Sequence, residues 1–147
     1  MKNTKKKILA LLAVLVVALG LVFAVTKMMD KPEVQKGAKD ITVVIIDKSK
    51  DSEKELLNKK YDTDAEFLGQ LLDEHNDEVK MVATDGGYGR FIDSIMGIEN
   101  VSGATSGSYW MIYRLVDGNY VATDFGIDEQ PIANGETYGL FFELLSW

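Results

Sequence analysis

From Ile8 to Val25 the sequence runs for 18 residues without a charged or hydrogen-bonding side chain, directly after Lys2, Lys5, Lys6 and Lys7. No other feature limits the possible structures as strongly. As a helix the run would extend about 27 Å at roughly 1.5 Å per residue, close to the hydrocarbon thickness of a bilayer. The basic residues ahead of it are expected to stay on the cytoplasmic side, which places everything beyond Thr26 outside. Residues 1–26 are therefore expected to be a signal or N-terminal membrane anchor. The length favours an uncleaved, single-pass anchor in the cell membrane with an extracellular C-terminal domain. Secretion after cleavage behind Ala24, in Val22-Phe23-Ala24, is the alternative.

The anchor changes the meaning of the charge. The whole chain carries −7, but its first 26 residues hold four lysines and no acid, so the remainder carries −11. Such a surface is wrong for nucleic acid, which attracts a basic face. The chain has no cysteine, which excludes disulfides, thiolate metal sites, a cysteine nucleophile and a lipidated cysteine. An exported domain of this kind must hold together by its apolar core alone. With His75 as the single histidine, a Ser/His/Asp triad is possible only if that residue is its base.

Residues 27–40 are polar, with Pro32 and Gly37, and are expected to be a spacer. Residues 41–147 form the domain. Ile41–Ile46 (ITVVII) has the β-branched run of a central strand buried on both faces. The charge-dense stretch 47–60 is expected to be a loop. Thr63 and Glu66 have capping-box spacing for a helix that carries Ala65, Phe67, Leu68, Leu71 and Leu72 on one side and ends near His75-Asn76. Strands are expected at 80–84, 88–96 and 109–115. Asp117-Gly118 marks a turn to a return strand at Tyr120-Val121. Residues 126–134 lack a pattern, and Asn134-Gly135 turns into a last strand over 136–145. The order predicts an α+β fold, one helix packed on a mostly antiparallel sheet, β-grasp-like in arrangement.

Four segments, in order, resemble one family. Tyr88-Gly89 leads into Arg90-Phe91-Ile92-Asp93-Ser94-Ile95. Tyr109-Trp110 follows a short loop, then Gly126-Ile127-Asp128, then Pro131-Ile132-Ala133-Asn134-Gly135-Glu136-Thr137. Together with the closing Leu145-Ser146-Trp147, they are similar to the C-terminal domain of transcobalamin and intrinsic factor, a domain shared with a bacterial surface-protein family. What the resemblance implies is a cobalamin-contacting domain that closes over one face of a corrin ring. The large helical domain that completes the site in the animal carriers is absent from this chain. Met111 stands where the family has a polar residue. A corrinoid is therefore the lead ligand, on half a site that a partner would complete.

The resemblance nominates Trp110, Tyr109, Ser94 and Tyr88 as ligand-binding residues, joined by Tyr113. Aromatic faces with polar tips suit a planar ligand, although alternation puts Tyr109, Met111 and Tyr113 on one side of their strand and Trp110, Ile112 and Arg114 on the other. Tyr120 belongs to the same aromatic set, and loop 102–108 is small enough to fold over a ligand. The acids Asp62, Asp64 and Glu66 lack the glycine and terminal glutamate of a calcium loop, and Asp124, Asp128 and Glu129 look like a solvated loop, so no metal site is expected. The turn Asp85–Gly89 lacks the lysine and serine of a P-loop. No base is placed for a serine, so the chain is not expected to be an enzyme. No resident cofactor is expected. The competing reading is an envelope protein-interaction module that binds a partner rather than a small molecule.

Overall fold

The computed structural model describes residues 33–147, together with Lys7. The expected anchor and most of the spacer lie outside the described residues. Among those residues, no helix is long and apolar enough to cross a membrane.

The central strand forms where the β-branched run predicts it. Strand β1 (Lys39–Asp47) lies between β2 (Lys54–Thr63), antiparallel, and β9 (Thr137–Ser146), parallel. The main sheet continues through β7 (Ser106–Val116) to β6 (Val101–Ser102), and β8 (Asn119–Ala122) pairs with β7. A second, three-stranded sheet holds β3 (Met81–Asp85), β4 (Arg90–Ile95) and β5 (Ile98–Glu99). The helix α1 spans Leu68–Glu74 and a helical turn, α2, follows at Asn76–Val79. The fold is α+β, with a mixed main sheet and a second sheet where one sheet was expected.

Alternation sorts the main sheet into two faces. Ile41, Val43 and Ile45 of β1, Tyr138, Leu140 and Phe142 of β9 and Trp110 of β7 enter the core with Leu68, Leu71 and Leu72 of α1. Ile127 and Ile132, from the patternless stretch, plug the same core. The other face carries Val44, Phe141, Met111 and Tyr113, a consequence of the registers Val44↔Gly139, Phe141↔Met111 and Gly139↔Tyr113.

Two local expectations are corrected. Much of the stretch expected as a loop is the edge strand β2. An edge strand needs only one inward face and one hydrogen-bonded flank, and here Leu57 and Tyr61 point inward opposite Ile45 and Ile41, while Lys54 and Lys60 are exposed. The helix also starts later than the Thr63/Glu66 spacing predicts. The Glu66 carbonyl accepts from Ile132 N and Leu68 N donates to the Gln130 carbonyl, which holds residues 66–67 extended. Gln70 then supplies the cap: its Oε1 accepts from the N–H groups of Glu66 (2.8 Å) and Phe67 (3.2 Å). Thr63 instead accepts from Ala65 N and donates to Glu74.

The Asp117-Gly118 turn has positive φ at both residues, 49° and 81°, as a primed hairpin turn requires. Met96-Gly97 makes the same kind of turn, 52° and 78°, and so ends the strand expected over 88–96. Strand β4 spans only Arg90–Ile95.

Buried phenols set an alkaline limit. Tyr138 is fully buried and donates to the Pro131 carbonyl at 3.0 Å, and burial pushes its phenol well above the ordinary value. Burial and the neighbouring carboxylates Glu78 and Glu143 push Tyr61 and Tyr113 up to about 12. A raised folded pKa means that stability is intact below the unfolded value of about 10 and is lost as pH rises through the folded one. Circular dichroism across this alkaline range should show unfolding that begins above pH ~10. Tyr138→Phe should unfold at higher pH than the parent; an unchanged midpoint would refute the assignment.

Candidate functional site

Strands β7, β8 and β9 bring an aromatic band to the open face of the main sheet. The Phe141 ring lies 5.0 Å from Tyr113, stacked at 30°, and 4.9 Å from Tyr120, edge-on at 75°. These are favourable offset and T-shaped geometries. The band depends on Gly139: a Cβ there would lie 2.6 Å from the Phe141 ring and 3.1 Å from Tyr120. The absent side chain gives the ring its place. Lys48 sits 4.5 Å over the Phe141 centroid, a cation–π contact. Tyr113 donates to Glu143 at 2.7 Å. Phe141 itself is only 2% exposed, so the surface not covered by helix offers the edges of Tyr113 and Tyr120, the Met111 thioether, one ammonium and one carboxylate.

The five nominated residues are spread over β7, β4 and the turn before β4. Tyr113 belongs to the band. Tyr109 lies on the same face, farther along β7, where its hydroxyl meets Ser102 Oγ at 2.9 Å and its ring lies 6.5 Å from Trp147. Trp110 is on the opposite face, 7% exposed, with its ring 5.1 Å from Phe142. Its indole N–H donates to the Ile98 carbonyl at 2.8 Å. Ser94 is buried on β4 in the second sheet. Tyr88 is 88% exposed in the turn between β3 and β4. Physically, strand alternation separates Trp110 from Tyr109 and Tyr113, while Ser94 and Tyr88 belong to the second sheet and its β3–β4 turn. Loop 102–108 closes as a hairpin between β6 and β7. Trp147 anchors there through its N–H groups, which donate to the Thr105 and Ala104 carbonyls.

Phe141 is the member of the band that sequence reasoning passed over. Its signal was present: if Tyr138, Leu140 and Phe142 alternate inward, Phe141 must point the other way.

The acidic groups also redistribute. Asp128 is no solvated loop residue. It accepts from Arg90 N (2.8 Å), Nε (3.0 Å) and Nη2 (2.8 Å), while Arg90 reaches Asp73 with Nη1 and Nη2 at 3.0 and 2.8 Å. Those bonds hold the Asp128 carboxyl below its ordinary range. Asp62, Asp64 and Glu66 do not converge on a common point. Among the described residues the one group of three converging metal-ligand donors is His75, Asp77 and Glu78.

No protein-family profile matches the chain, and no curated protein does. Solved structures do. The chain is similar to a candidate metal-binding protein from Ruminococcus gnavus, with a TM-score of 0.56 and 25% identity, over 74% of this chain and 98% of that one. It is also similar to haptocorrin, of the transcobalamin family, solved in complex with Cbi, with a TM-score of 0.50 and 14% identity, over 79% of this chain. That match spans 27% of haptocorrin. At this identity the likeness is one of fold: the chain has a transcobalamin-like fold.

Proposed function

We propose that the chain is an extracytoplasmic ligand-binding module, tethered to the membrane by residues 1–26, with cobalamin or another corrinoid as its lead ligand and the open aromatic face as its half of the site. The fold shared with haptocorrin, a protein solved in complex with Cbi, is the observation that carries this reading. The aromatic band adds to it, because a large planar ligand needs a broad apolar surface with a few polar groups at its edge. Within this reading, the helix packed over a mixed sheet is taken as β-grasp-like. The module performs no chemistry of its own; it holds a ligand for a partner that covers the other side.

Equilibrium dialysis of the full-length protein in detergent against cobalamin tests it. Saturable one-to-one binding is expected. Tyr113→Ala should weaken it about tenfold, equivalent to ~1.4 kcal/mol. Absence of binding at high micromolar cobalamin, with the protein folded, would end the corrinoid reading.

The protein-interaction reading has less support. The edge strand β2 presents Lys54, Glu55, Lys59 and Lys60, and charges on an edge discourage strand addition. One recurrent crosslinked envelope protein in intact membranes would favour it nonetheless.

A further inference from the structure

We propose that His75, Asp77 and Glu78 form a binding site for a divalent transition ion of the zinc class. The site lies where α1 gives way to α2. His75 is the C-cap of one and the N-cap of the other: its N–H donates to the Leu71 carbonyl (3.3 Å), and its own carbonyl accepts from Glu78 and Val79 (both 3.0 Å). The backbone of all three donors is therefore set by one tight turn. A donor atom from each side chain lies within 4.8 Å of the other two. Zinc bonds of about 2.0–2.1 Å place tetrahedral ligand atoms roughly 3.4 Å apart. A contraction of at most about 1.4 Å brings them to that geometry, and Asp77 is the exposed member of the three.

Two further features prepare the site. The imidazole stacks on the buried Tyr61 ring, with centroids 4.1 Å apart and planes at 26°, which fixes the plane of the nitrogen donor. The Glu78 carboxylate is positioned by the Tyr61 hydroxyl at 3.2 Å and holds a cation already: Lys59 Nζ lies 2.7 and 3.0 Å from its two oxygens. The ammonium rides on a flexible stem across Tyr61, 5.2 Å from its centroid, and can swing out. The donor set decides the ion. One imidazole nitrogen with two carboxylates suits zinc, with water in the fourth position; calcium takes six to eight oxygens and magnesium retains its waters. None of these residues belongs to the aromatic face, so this site stands or falls independently of the corrinoid reading.

Untagged full-length protein in detergent, titrated with zinc alone against a chromophoric chelator, provides the test. One zinc per chain at micromolar affinity is expected. His75→Ala should weaken it at least thirtyfold and Asp77→Asn about tenfold. Lys59→Ala, which frees Glu78 of its competing cation, should tighten it several-fold. That gain would not follow from a merely structural role, and it does not depend on a variant that has lost its fold. Absence of uptake at millimolar zinc overturns the site, and so does uptake that is the same in the folded His75→Ala protein.

Discussion

Alanine in place of Trp110 will lower the unfolding free energy by about 3–5 kcal/mol, seen as a lower urea midpoint at an unchanged slope. The indole fills the space between the main sheet and the second sheet, and the loss combines transfer of a large apolar ring with the cavity left behind. Polar bonds join the same place. Loss of the indole donor would leave the Ile98 carbonyl without its partner. Asn100 accepts from Trp110 N at 3.0 Å and donates to the Ile92 carbonyl at 2.7 Å, so it stitches β4 to β7 beside the ring. A loss below about 1 kcal/mol, the scale of an ordinary surface substitution, would show that Trp110 is not a core residue. Trp110→Phe separates packing from recognition. It keeps most of the buried ring, so cobalamin bound on the open face should hold its affinity. A folded Trp110→Phe protein that no longer binds would move the ligand to the other side of the sheet.

The second large effect belongs to a residue with no side chain. Gly69→Val will destabilise the domain by about 3 kcal/mol, the upper part of the range for overpacking. Gly69 lies in the first turn of α1, where its N–H donates to the Ile127 carbonyl at 2.7 Å. A Cβ there would overlap Asp128 Oδ1 and come within 3.1 Å of Arg90 Nη2 and 3.2 Å of the Ile127 carbonyl. Because Asp128 is tied to Arg90 and Arg90 to Asp73, the larger side chain must break the clasp or push the helix away. The clasp also shapes the acid limb of stability. Asp128 has a lowered folded pKa, so its contribution is present at neutral pH and is lost as pH falls through that value. The Gly69→Val protein should therefore be less stable at neutral pH, and its stability should fall less as the solution is acidified. Urea midpoints at neutral and acid pH would check this; equal losses in both proteins would refute the role of the clasp.

Much of this architecture is legible without coordinates. The β-branched run Ile41–Ile46 reads as an interior strand, since an alternating strand would show a polar face. Asp117-Gly118 announces its hairpin because both residues tolerate positive φ. The division of Trp110 from Tyr109 and Tyr113 follows from the pleat itself. Strand β2 is less legible, because an edge strand that buries little more than Leu57 and Tyr61 has too weak a pattern to outweigh its charges. The helix start fails for a different reason: local capping chemistry at Thr63 and Glu66 yields to long-range bonds from Gln130 and Ile132. The fate of Asp128 is invisible along the chain, because its partner Arg90 is brought to it by the approach of a glycine on a third element.

The sequence by itself determined the acidic, cysteine-free domain after an apolar N-terminal run, the α+β class and the side of each strand on which a residue falls. These are properties of composition and period, and they need no partner. Only the tertiary structure decided which faces are covered. It placed Trp110 in the core and Tyr113 on the open face, gathered Phe141 and Tyr120 beside it, and turned His75 towards Asp77 and Glu78 against the ring of Tyr61. Those outcomes depend on contacts between segments far apart in the chain, whose free energy appears only once the chain has closed on itself.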